Sequence, residues 1–268
     1  MEQYENVFYL LIGSPMKSLL FLCIISLSLS FSAYSEQSSF IQKRQTAVLS
    51  NLFDQLIQRE INSEMAIEKS VNALLESYPE QISLVLQIAI NKYPLEYKQI
   101  ICGALRAEPA LTSDVIDIVL QSNIASNEDI ISFAVKEEPA YAAEIVDAAL
   151  LHNPLEIENI VRVAIVTEPL MANHVVETAM KSYPEKVLDI LAVAINVLPE
   201  EVINLVRNTL RISPDNTEVI SVAINSSNSN KSREIISAAI KSGISQESAT
   251  AAAIAGGAKK ADIVKLDE

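Results

Sequence analysis

His174 and Glu177 stand one helical turn apart, and the same two places thirty and sixty residues earlier hold Glu144 with Asp147 and Asp114 with Asp117. A histidine beside a carboxylate can relay a proton or help hold a cation. Carboxylates in series can attract cations or a basic partner. The three-residue spacing puts each pair on one face of a helix, so a solvated ion pair is the competing reading for His174 and Glu177. The candidate partner-binding strip is Asp114, Asp117, Glu144, Asp147 and Glu177. An ordinary solvated face that keeps the protein soluble is the competing reading for the strip.

Further chemistry is sparse. The second histidine, His152, lies in a different segment from His174. HExxH, CxxC, GxSxG and glycine-rich phosphate loops do not occur, so zinc, serine-hydrolase and nucleotide chemistry have no support in the sequence. The expectation is a non-catalytic protein with no cofactor and no metal.

The formal charge is −14. With no basic stripe to neutralise phosphates, nucleic acid is excluded as the expected partner. Anionic membrane surfaces should repel such a chain.

Residues 16–35, MKSLLFLCIISLSLSFSAYS, have a lysine, an apolar run and a small-residue end, the pattern of a secretory signal peptide. Cleavage is expected between Ser35 and Glu36, with Met16 as an alternative start of translation. The expected location is periplasmic or extracellular, without membrane insertion once the signal is removed. The alternative is a chain anchored in a membrane through residues 18–35, although that run is short for a span. Cleavage would remove Cys23 and leave Cys102 alone, so no internal disulfide framework can form. Cys102 is expected to be a small buried side chain.

What must position the carboxylates is a repeat. Nine of the ten prolines, from Pro79 to Pro214, are separated by multiples of fifteen, and the one skipped place holds Ile124. With proline as position 2, units run without a gap from Tyr78 to Ile212, and weaker copies extend the series from Ser63 to Gly257. Proline suits the first helical position and pushes the residue before it out of the helical region. Each unit is therefore expected to be one helix, with Glu108, Asn153, Ser213 and Asn228 as caps at position 1 and Ile124 marking a helix start.

Positions 5, 8, 9, 12 and 13 are mainly apolar and cover an arc of about 140° on a helix. Position 12 is usually alanine, which lets neighbouring helices approach. A thirty-residue period lies over the first, for position 10 carries Asp117, Asp147, Glu177 and Arg207 in alternate units. The predicted fold is all-α, an α-solenoid of about thirteen fifteen-residue single-helix repeats pairing as thirty-residue helix hairpins. Positions 7 and 10 should lie opposite the apolar arc, so that the five carboxylates stack along one surface. Tyr78, Tyr93 and Tyr183, each before a proline, form a second, interrupted series.

The expected organisation is a signal peptide over 1–35, a polar lead with an N-terminal capping helix over 36–62, the array over 63–257 and a tail over 258–268. An extended surface without a deep pocket suits a scaffold for an unidentified protein or other macromolecule, a basic one being the candidate, rather than an enzyme. The alternative is a self-assembling structural protein of the envelope or matrix, favoured by the alanine-rich last unit.

Overall fold

The computed structural model describes residues 40–60, 62–227 and 229–259. The expected signal peptide, the cap Asn228 and residues 260–268 of the tail lie outside the described residues. The chain divides into two compact units, Met1–Gln55 and Leu56–Glu268. Among the described residues the structure is all-helical, with fourteen α-helices in series.

Helix α1 spans residues 40–59 and begins inside the expected polar lead, because QKRQTA contains good helix formers. The second unit holds α2 (Ala66–Ser77), α3 (Ile82–Lys92), α4 (Tyr97–Ala107), α5 (Thr112–Gln121), α6 (Asn127–Glu137), α7 (Ala142–His152) and α8 (Ile157–Thr167). It continues with α9 (Ala172–Ser182), α10 (Val187–Val197), α11 (Val202–Ile212), α12 (Glu218–Ser226), α13 (Ser232–Lys241) and α14 (Gln246–Ala255). Within this unit each helix packs on the next and on the one after that. The helices therefore form two rows, α3-α5-α7-α9-α11-α13 and α2-α4-α6-α8-α10-α12-α14.

A proline does not open the α-helix itself. At eight of the nine repeat prolines it opens a three-residue 3₁₀ turn over positions 2–4, and the α-helix starts at position 5; after Pro214, Asp215 takes a left-handed φ of 66° and the next helix starts at Glu218. At eight junctions the residue at position 1 serves both neighbours through its backbone. Its N–H donates to the carbonyl of position 12 in the helix just ended, at 2.8–3.3 Å. Its own carbonyl accepts from position 4 of the new turn, at 2.9–3.2 Å. The expected side-chain caps are absent at Glu108 and Asn153, since the backbone already closes both ends. Ser213 likewise connects through its backbone, to Thr209 O at 2.8 Å and from Asn216 N at 3.4 Å.

Ile124 does not begin a helix. Asn123 takes a left-handed φ of 53° and α6 starts at Asn127, where Ser126 Oγ accepts from Asp129 N at 3.1 Å. Without proline to set φ, a side-chain cap does the work, and α6 still occupies positions 5–15. The junction before α14 uses the same device, with Gly243 at φ 107° and Ser245 capping Ser248 N at 3.1 Å.

Burial follows the predicted arc. From Tyr78 to Ile212 every residue at positions 8, 9, 12 and 13 is buried. Thr209 replaces the usual alanine at position 12 and is also buried; its hydroxyl donates back to Leu205 O at 2.8 Å, so no polar group is orphaned. Gly103 lets α2 and α4 come close together, for a Cβ there would collide with the Glu68 carbonyl.

Ala164, fully buried at position 12, should lose about 3–5 kcal/mol as Ala164→Asp, the cost of an unpaired interior charge. Exposed Glu96→Ala should stay within about 0.5 kcal/mol of wild type, and equal effects in urea unfolding would contradict this register. The two kinds of junction also separate. Ser126→Ala should cost about 1 kcal/mol, whereas Asn153→Ala, which removes no cap, should cost only a few tenths.

Candidate interaction face

The five candidate carboxylates sit on α5, α7 and α9, three consecutive helices of one row. Asp114 and Glu144, at position 7, are exposed, as is His174. Asp117, Asp147 and Glu177, at position 10, are half-buried. Position 10 is therefore not opposite the apolar arc. It lies on the seam that faces the next helix of the same row.

The seam has a rule. Ser182 Oγ donates to Asp147 Oδ1 at 2.8 Å, and Asn208 Nδ2 donates to Asn173 Oδ1 at 3.3 Å. Cys102 Sγ donates to Glu137 Oε2 at 3.4 Å, and Lys98 Nζ stands 5.5 Å from the centre of the Phe133 ring. Every one of these links spans 35 residues, two units plus five. Arg211 Nη2 reaches Glu177 Oε2 at 3.0 Å across 34 residues. Position 10 of one helix thus meets position 14 or 15 of the helix two along, and position 6 meets position 11. The carboxylates recur in register but do not face one another.

These contacts divide the five. Glu177 is held by Lys181 at 2.8 Å and by Arg211 at 3.0 Å. The hydrogen bond from Lys181 is the main reason that its carboxyl lies below the usual value, against a smaller opposing effect of burial. Asp117 accepts from Gln121 at 2.7 Å and Asp147 from Ser182. Asp114 and Glu144 alone of the five have neither an ion pair nor a hydrogen bond among the described residues. Ser182, Lys181 and Arg211 were not singled out in the sequence. The signal that could have found them is the separation of two units plus about one helical turn.

The tyrosine series does not form one line. Tyr78 follows α2 while Tyr93 and Tyr183 follow α3 and α9, and successive junctions fall at opposite ends of the helices. Tyr183 lies near Asp147; burial first and that carboxylate second push its hydroxyl pKa up.

Cys102 is buried on α4, and burial, then the charge of Glu137, push its thiol up to about 12. Such a thiol is a poor nucleophile. Arg106 pairs with the buried Glu68 and reaches Glu137 at 3.8 Å, so this cluster ties α2, α4 and α6 together. Among the described residues no group of three histidine, cysteine, aspartate or glutamate side chains could hold a metal ion, and no helix is long and apolar enough to cross a membrane. Compared with family models, with curated proteins and with solved structures, the chain matches none of them.

Because the lowered Glu177 pKa stabilises the fold above it, that contribution should fade as the pH falls through the folded value. Lys181→Gln should raise the Glu177 titration midpoint, followed by carboxyl NMR, toward the ordinary 4.5. An unmoved midpoint would show that Lys181 does not set it.

Proposed function

We propose that this protein is an exported, non-catalytic α-solenoid that serves as a macromolecular interaction scaffold. The array consists of fifteen-residue single-helix units pairing as thirty-residue hairpins. The observation that carries this reading is the packing of each helix on the next two across the whole second unit, with helix starts fifteen residues apart from Ile82 to Val202. Helices added this way extend two rows and multiply equivalent surface positions without enclosing a catalytic cleft. Proteins so built offer long faces to other macromolecules, and here α5 and α7 offer carboxylates to a partner with basic groups. Export rests on the sequence pattern of residues 16–35.

Two outcomes test the reading. Mature protein from the native host should begin at Glu36; a chain that keeps residues 16–35 would favour the anchored alternative. Crosslinking in the native envelope or medium should capture a partner with the wild-type chain, and Asp114→Asn with Glu144→Gln should lose it. These two carboxylates have no internal bond to disturb, so equal capture by the variant would remove the strip from the interaction.

A further inference from the structure

The row that carries the acidic strip changes sign along its length. Positions 7, 10 and 14 hold Asp114 and Asp117 on α5, and Glu144 and Asp147 on α7, without a basic residue, position 7 exposed and position 10 half-buried on the seam. On α9 Glu177 and Lys181 balance. On α11 the same positions hold Arg207 and Arg211, without an acidic residue. On α13 position 7 holds the exposed Glu234 and position 14 Lys241, and Arg233, one place before Glu234, is exposed as well. From α5 to α11 the row thus runs from acidic through neutral to basic, and α13 carries both signs, in a chain whose net charge is −14.

Part of the charge at each end is also unpaired within the chain. Arg207, Arg233 and Lys241 at the basic end have no ion pair or hydrogen bond among the described residues, as with Asp114 and Glu144 at the acidic end. A basic foreign partner would satisfy the acidic half alone and leave the basic half facing a like charge. One surface satisfies both halves: a second copy of the same row, turned around.

We infer that this row is a self-association face on which two copies of the chain dock antiparallel about a two-fold axis through α9. The inference rests on the scaffold reading and names the partner. The axis brings α7 of one protomer over α11 of its partner, so that the unpartnered Glu144 meets the unpartnered Arg207. It brings α5 over α13, where Asp114 meets Arg233 and Lys241 but also Glu234, so the attraction is carried by α7 and α11. The balanced helix α9 meets itself. Such an interface is isologous and closes at two copies. Five helices about 16 Å long and about 9 Å apart present roughly 700 Å² per protomer, close to what a standard stable interface uses. Leu151, 74% exposed on α7 next to Asp147, adds apolar area within the charged frame.

Sedimentation velocity of the purified mature protein over a range of concentrations and salt tests the inference. A dimer is expected, with a dissociation constant that rises on the order of tenfold from low to high salt as its exposed charges are screened. Arg207→Glu and Glu144→Arg should each weaken it, with helicity unchanged by circular dichroism. The combined variant should restore it, because the two reversed charges meet again across the axis. If either reversal unfolds the chain, Arg207→Gln and Glu144→Gln replace it and should both weaken the dimer. A monomer at every concentration and salt overturns the inference, as does a dimer indifferent to the single variants or a combined variant as weak as they are. A monomer that still captures another macromolecule through Asp114 and Glu144 would overturn self-association and leave the scaffold reading standing.

Discussion

One residue per repeat carries the architecture. At position 1 the backbone N–H completes the last hydrogen bond of one helix and the carbonyl supplies the first of the next turn. At the eight junctions with a 3₁₀ turn its φ, between −125° and −148°, and ψ, between 57° and 84°, turn the chain without a left-handed residue. The following proline has no N–H to leave unsatisfied and fixes its own φ near the helical value. A connection this short allows no drift between units. Every helix of the Tyr78–Ile212 segment therefore shows the core the same positions, and the alanine at position 12 is also the residue whose carbonyl the junction uses.

The proline-free junctions show what this connection replaces. At Asn123 and Gly243 the chain enters the left-handed region, and a serine side chain then caps the next helix. Both solutions satisfy the orphan N–H groups of a helix start. The proline form does so with backbone alone, leaving position 1 open to Tyr, Glu, Asn, Leu or Ser. That freedom explains why cap preferences read from the residues before proline had no counterpart in the structure.

Much of the fold was legible because proline spacing and apolar periodicity act locally. The buried set at positions 8, 9, 12 and 13 follows from helical geometry within a single unit. The 3₁₀ turn was not legible, since proline at a helix start is compatible with either first turn. The start of α6 was misplaced because repeat arithmetic transfers the place of a proline but not its effect. For the candidate strip, sequence put Asp114 and Glu144 on exposed positions of one row. It could not show that position 10 is half-buried, because that depends on a helix two units away.

The thirty-residue period follows from the same geometry. Each helix meets two kinds of neighbour: the next in sequence, through the apolar arc, and the next in its own row, through the seam. The apolar arc faces similar residues everywhere and so repeats every fifteen. Across the seam position 10 meets residues of its own row, 34 or 35 positions away, so its chemistry there needs to agree only with alternate units. One row can therefore place Asp, Glu and Arg at position 10 while the other places Cys102, Ser132, Arg162 and Ala192 there. Core and seam are thus specified at different periods. The core positions can hold the fold constant while each row varies its charge from end to end, and the row through α5, α7, α9 and α11 does so, from two aspartates to two arginines.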